Sequence, residues 1–231
     1  MRIDCMAEAQ AVAYDVIAWR RHIHANPEAA FHEKETAAFV SETLRGFGYS
    51  PAPVGKTGLM AVLEGALPGK TLGLRADMDA LPGTETTGLP FASRNPGLMH
   101  ACGHDAHTAI LLGVAKVMAA YKNVLPGRIK FFFQPAEEPL AGARTFVTAG
   151  ELDDVDGLAA LHVMPNLETG CIGTRAGVLM AASDTFTITV SGKASHGAEP
   201  HHGIDAILIA SHIVTALQSV VSRNVGPLDS A

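Results

Sequence analysis

An α/β fold, with layered helices over a mostly parallel central sheet, is the architecture this chain predicts, and three features of the sequence point to it. Residues 59–63, 71–76, 128–133 and 157–161 are short apolar runs bounded by Gly, Pro or Asp, the pattern of strands buried on both faces. Between them, 106–121 and 141–149 carry apolar residues at helical spacing, and alternation of this kind builds parallel βαβ units. Third, Asp77 and Asp79, Glu137 and Glu138, and His162 each follow a strand, and binding sites in such sheets gather at the carboxyl ends of strands.

Two helices open the fold, over 9–25 and 33–47, with Pro27 between them and Gly46 and Gly48 as stop signals. After Gly177 the texture changes. Residues 185–190 alternate as a strand with one wet face, and 204–221 read as an apolar amphipathic helix that ends before Gly226-Pro227. The change of texture divides the sequence into a first domain over 1–181 and the beginning of a second over 182–231 that does not finish. One strand and one helix do not bury both apolar faces, so the second piece is expected to expose surface or dock.

With 231 residues and 48% apolar content, the chain has ample material for a core. A net charge of −6 without any Lys/Arg run argues against nucleic acid and anionic membranes as partners. Asp4 and Glu8 interrupt the start where a signal peptide needs apolar residues, and no later run approaches the roughly eighteen apolar residues of a membrane span; the expected location is the cytoplasm. Cys5, Cys102 and Cys171 are an odd count without framework spacing, as expected of reduced thiols.

Cys102 and His104 flank Gly103; two residues apart in a loop they face the same way and can chelate, with a helix starting near Asp105 as N-cap. The positive end of that helix would favour the Cys102 thiolate. His100 and His107 are placed outside the ligand set. Glu137 and Glu138 follow an all-apolar strand, where adjacent carboxylates repel unless a cation or a proton separates them. In extended backbone they point to opposite sides, so that one binds a metal and the other reaches its water. Asp79 reads as a carboxylate that orients a ligand or the base, whereas Asp77 is either a ligand or a turn cap. His162 stands at a strand terminus, and His196 lies in the loop before the last helix. Thiolate, imidazole and carboxylate together suit zinc or manganese.

The segments RRHIHANPE, RADMDALP, NPGLMHACGHDAHTA, FFFQPAEE, ALHV and SGKASHGAEPHHGIDA occur in this order along the chain. In them the chain resembles the metal-dependent amidohydrolases that include hippurate hydrolase, N-acyl-amino-acid amidohydrolases and indole-acetyl-amino-acid hydrolases. The resemblance implies Cys102, His104, Glu138 and His162 as metal ligands, Glu137 as general base with Asp79 orienting it, and His196 as a lid histidine contacting the scissile carbonyl. It also implies a two-metal site, an inserted α/β lid that forms a homodimer, and small acyl-amino-acid substrates. Family members continue past this point and supply a further metal-ligating histidine. The expectation is thus a C-terminally truncated amidohydrolase, with a catalytically silent metal-binding or dimerising fragment as the alternative.

Overall fold

The computed structural model describes residues 3–226 and Asp229; the Pro227 of the expected stop signal lies outside the described residues. Helix α1 (Cys5–Ala25) begins where the Asp4 carboxylate accepts the Ala7 N–H, and α2 (Lys34–Gly46) follows. The start of α2 is capped from a distance, because the Glu28 carboxylate accepts the backbone N–H groups of Glu35 and Thr36. Next come β1 (Ala52–Val54), β2 (Gly58–Glu64), β3 (Leu67–Asp77), the two-residue strands β4 (Leu81–Pro82) and β5 (Leu98–Met99), and α3 (His104–Ala119). Strand β6 (Pro126–Gln134), α4 (Ala143–Thr148) and β7 (Gly157–Ala160) complete this part.

The main sheet has five strands in the order β1-β2-β6-β3-β7. Strands β6, β3 and β7 run parallel, β2 is antiparallel to both of its neighbours, and so β2 alone opposes the common direction. Side chains alternate across β6: Phe131 and Phe133 enter one cluster with Val40 and Leu44 of α2 and Leu112 of α3, whereas Phe132 packs with Phe146 of α4 on the opposite face. Helices therefore cover both faces, which is why the run Ile129 to Phe133 is uninterruptedly apolar except for Lys130. That lysine is itself buried, its Nζ held by the Glu151 carbonyl and the Asp154 carboxylate. Each buried phenylalanine contributes roughly 1.5–3 kcal/mol through removal of apolar area from water.

Register brings the strand ends into line. Asp77 is level with Gln134, and Arg75 is level with Ala160, so the carboxyl ends of the three parallel strands finish together. The loops that continue them emerge side by side. Unlike β6, the edge strand β7 is exposed along its whole length, contrary to the expectation of burial on both faces, because among the described residues neither apolar cluster reaches it.

The chain divides into two compact units, Met1–Gly170 and Cys171–Ala231. In the second, Lys193 and Ile204 form an isolated bridge, and α5 (Ala206–Ser219) starts from Asp205, whose carboxylate accepts the N–H groups of Ile207 and Leu208. The strand expected over 185–190 is absent: among the described residues that segment has no partner strand, and an unpaired ladder leaves backbone groups to water. A π-helical turn (Val220–Asn224) extends α5. Together, Ala206–Asn224 make a 19-residue helix long and apolar enough to cross a membrane by length and composition, contrary to the expectation that no run approaches a span. The polar Ser211, His212, Thr215 and Gln218 interrupt the run and hide that average.

Candidate metal centre

The site is built at the level carboxyl ends of β6, β3 and β7. Beyond β3, Asp79 is fully buried and its carboxylate accepts two backbone N–H groups, Glu137 N at 2.9 Å and Glu138 N at 3.0 Å. Burial alone would raise its pKa, but hydrogen bonds from His104 and from those two amides outweigh burial and hold it low. Asp79 thus anchors the main chain of the glutamate pair.

Those glutamates do not diverge as an extended backbone would make them. They sit in a turn entered through Ala136 at φ 48°, and both carboxylates approach His104 Nε2 at 3.8 Å. The buried Glu33 carboxylate supports the turn by accepting the Ala136 N–H at 2.8 Å while it also takes the Thr57 hydroxyl at 2.6 Å. Gly142 closes it, because a Cβ there would meet the Pro135 carbonyl oxygen at 1.5 Å.

Helix α3 starts two residues earlier than expected, with Gly103 at φ 93° as its N-cap. Asp105 is inside the helix and caps nothing; its carboxylate instead accepts Arg20 Nε at 2.9 Å and pairs with His24 Nδ1 at 2.8 Å. Left-handed Gly103 swings Cys102 and His104 to the same side. His104 Nδ1 donates to the Asp79 carbonyl at 2.8 Å, which leaves Nε2 buried without a hydrogen-bond partner and facing the glutamates; burial opposes a charge on this ring, but Asp79, Asp77 and Glu137 outweigh it and raise its pKa. From β7, His162 donates Nδ1 to the Val163 carbonyl at 2.7 Å and turns Nε2 to within 3.3 Å of Cys102 Sγ.

Two groups of potential ligand atoms result, each mutually within 4.8 Å: Cys102, His104 and His162, and His104, Glu137 and Glu138. His104 belongs to both. His104 Nε2 and Glu138 Oε1 are buried without a hydrogen-bond partner, 3.8 Å apart. Ligand atoms that share a zinc ion at about 2.0–2.2 Å lie roughly 3–4 Å from one another, so a cation between these two orphaned atoms would satisfy both. The electrostatics agree with that fit. Burial and the Glu138, Glu137 and Asp77 carboxylates push the Cys102 thiol up to about 12, overriding the helix terminus that was expected to favour thiolate. Burial, Asp77 and Glu138 likewise raise Glu137, with His104 opposing. Cys102 and Glu137, whose anionic forms are penalised here, are groups that a nearby divalent cation suits.

Asp77, Asp79, Cys102, His104, Glu137, Glu138 and His162 are therefore assembled in one region of the first unit. His196 belongs to the second, where its Nδ1 accepts the Ala198 N–H at 3.1 Å. Asp77 does not cap a turn: Oδ1 accepts from His107 Nδ1 at 2.7 Å and Oδ2 from Arg75 Nη1 at 2.7 Å. Asp77, His104 and His107 could also surround an ion, yet both nitrogens of His107 are already engaged, Nε2 by the Val163 N–H at 2.9 Å. The sequence pattern does not disclose the supporting roles of Glu33 and Arg75. Arg75 carries a signal, a charge inside an apolar strand; Glu33, at a helix start, carries none.

The profile described as Peptidase family M20/M25/M40 matches residues 73–230. The chain is 51% identical over 220 residues to an N-acyl-L-amino acid amidohydrolase of Geobacillus stearothermophilus, covering 94% of this chain and 60% of that protein. It is 47% identical to an N-acetyl-L-cysteine deacetylase of Bacillus subtilis, covering 94% and 52%. Among solved structures it is similar to the Bacillus subtilis YXEP protein, a dinuclear metal binding peptidase from the M20 family, with a TM-score of 0.70, 41% identity and coverage of 73% of this chain and 48% of that one. The chain thus spans about half to three-fifths of the length of these relatives. Its α/β fold, its ordered motifs and a match over most of its length together establish that the chain belongs to peptidase family M20/M25/M40.

Proposed function

We propose that this chain carries the metal-binding catalytic site of an amidohydrolase that cleaves the amide bond of N-acyl amino acids, including hippurate-like substrates. The observation that carries the reading is the pair of orphaned buried atoms, His104 Nε2 and Glu138 Oε1, inside a cluster that also contains a thiol and a second histidine. Cys102, His104, Glu138 and His162 would hold zinc or manganese, at one or two positions, with a further ligand supplied from outside this chain. A bound divalent cation lowers the pKa of water towards about 7 and polarises a carbonyl. Glu137, half-buried and raised in pKa, takes the proton released as water oxygen attacks the acyl carbon. The same carboxyl then passes that proton to the amine nitrogen as the C–N bond breaks. Asp79 keeps Glu137 aimed by holding its main chain. His196 is assigned to the developing oxyanion, donated from the unit that begins the lid over 182–231, through which the whole protein forms a homodimer. The protein is placed in the cytoplasm, acting on small soluble amides without nucleic-acid or membrane partners.

Glu137→Gln is expected to keep full zinc or manganese content and to lower hydrolysis of N-acetyl and N-benzoyl amino acids by about 10²–10⁴-fold. Activity equal to that of the parent would remove Glu137 from the base role. A second reading, a metal-binding or dimerising fragment without turnover, is favoured by the chain's coverage of only 48–60% of its relatives. Stoichiometric metal binding together with no hydrolysis of any N-acyl amino acid would select it.

A further inference from the structure

His162 is the least protected of the clustered residues, being exposed at the end of an exposed edge strand. Its orientation nevertheless depends on one neighbour, because the carbonyl that receives its Nδ1–H belongs to Val163. Val163 is held in turn by buried groups. Its N–H donates to His107 Nε2 at 2.9 Å, and His107 sits on α3 with only 2% of its surface exposed. A backbone N–H only donates, so Nε2 must be the unprotonated nitrogen and Nδ1 must carry the proton. That proton points to Asp77 Oδ1 at 2.7 Å, and Arg75 holds the other oxygen of the same carboxylate. The Val163 side chain rests over Gly103, where an added Cβ would lie 2.3 Å from Val163 Cγ2. The His107 and His162 rings meet edge-on with centroids 4.6 Å apart.

We infer that His107 is a positioning residue, a buried post whose tautomer is set by Asp77 and Arg75 and whose free lone pair fixes the Val163 amide, so that exposed His162 presents Nε2 beside Cys102. The inference rests on the metal reading above and adds to it a residue outside the ligand set. Metal-ligating histidines are commonly oriented by a hydrogen bond to their own second nitrogen. Here the control lies one step further away, on the main chain that receives that bond.

Two substitutions separate positioning from bulk. In His107→Asn the amide N–H replaces Nδ1–H towards Asp77, but no acceptor reaches Val163; in His107→Gln the side-chain oxygen falls where Nε2 was and accepts the Val163 N–H. Zinc affinity of the parent, both variants and Cys102→Ala is measured by competition with a chromophoric chelator. His107→Asn is expected to bind zinc about 10–100-fold more weakly, with His107→Gln recovering most of the loss. Equal affinity of His107→Asn and parent, or no recovery in His107→Gln, overturns the inference. Long-range ¹H–¹⁵N ring spectra of the unsubstituted chain test it without any variant: the Nδ1–H tautomer of His107 supports it, and the Nε2–H tautomer overturns it. A parent chain that binds no zinc, or binds it equally after Cys102→Ala, defeats the metal reading instead and leaves the ring spectra to decide the role of His107.

Discussion

The two halves of the candidate site are built differently. The inner half, His104, Asp77 and Asp79, is buried to within 1% and cross-linked by hydrogen bonds to main chain and side chains of β3, β6 and α3. The outer half, Cys102 and His162, meets solvent and is fixed by a short run of contacts at the end of an edge strand. Labour is divided between them: the inner half belongs to the fold and exists before any ion arrives, whereas the outer half is what an ion would organise.

The largest expected effect lies in the inner half. Asp79→Ala removes the buried carboxylate that accepts the Glu137 and Glu138 amides and leaves both without a partner, which is expected to cost about 3–5 kcal/mol in denaturant unfolding. A loss below about 1 kcal/mol would erase the contrast between the halves. In the outer half, Cys102→Ala should leave stability almost unchanged in metal-free protein and weaken zinc binding at least about 10–100-fold, read by chelator competition.

Acid provides a finer comparison. Burial works to raise Asp77, but the His107 hydrogen bond and the Arg75 charge overcome it and set its pKa at about 2. An unfolded aspartate titrates near 4, so Asp77 contributes about 2 kcal/mol at neutral pH, lost progressively as pH falls from about 4 through about 2. The Arg75→Gln variant should flatten that acid limb of the stability profile. The smallest effect belongs again to the outer half. With its thiol at about 12 in metal-free protein, Cys102 must give up a proton when a cation binds, so zinc affinity should rise about tenfold per pH unit near neutrality, around 1.4 kcal/mol. Cys102→Ala should abolish that thiol-linked slope.

Much of the inner half is legible in the chain. Apolar runs locate β2, β3 and β6 to within a few residues, because a strand covered on both faces admits little else; β7 is located by the same pattern although it is exposed, and the rule of carboxyl ends converts those runs into a meeting point for Asp79, Glu138 and His162. What escapes is tertiary. The direction of Glu137 and Glu138 depends on a left-handed Ala136 held by Glu33 from 103 residues away, and periodicity carries no trace of it. Asp105 looks like a helix cap, yet Gly103 takes that place because only its φ lets Cys102 and His104 converge, while Asp105 serves Arg20 and His24. Residues 185–190 alternate correctly for a strand and form none, since alternation describes a face and pairing needs a neighbour.

X-ray absorption spectroscopy at the zinc edge of the loaded chain tests the central claim most directly, that these distant segments converge on a cation. The structure predicts one sulfur at about 2.3 Å together with nitrogen and oxygen ligands at about 2.0–2.2 Å, the sulfur vanishing in Cys102→Ala and persisting when Cys5 and Cys171 are replaced. A coordination shell of nitrogen and oxygen alone, or one unchanged by loss of Cys102, would contradict it.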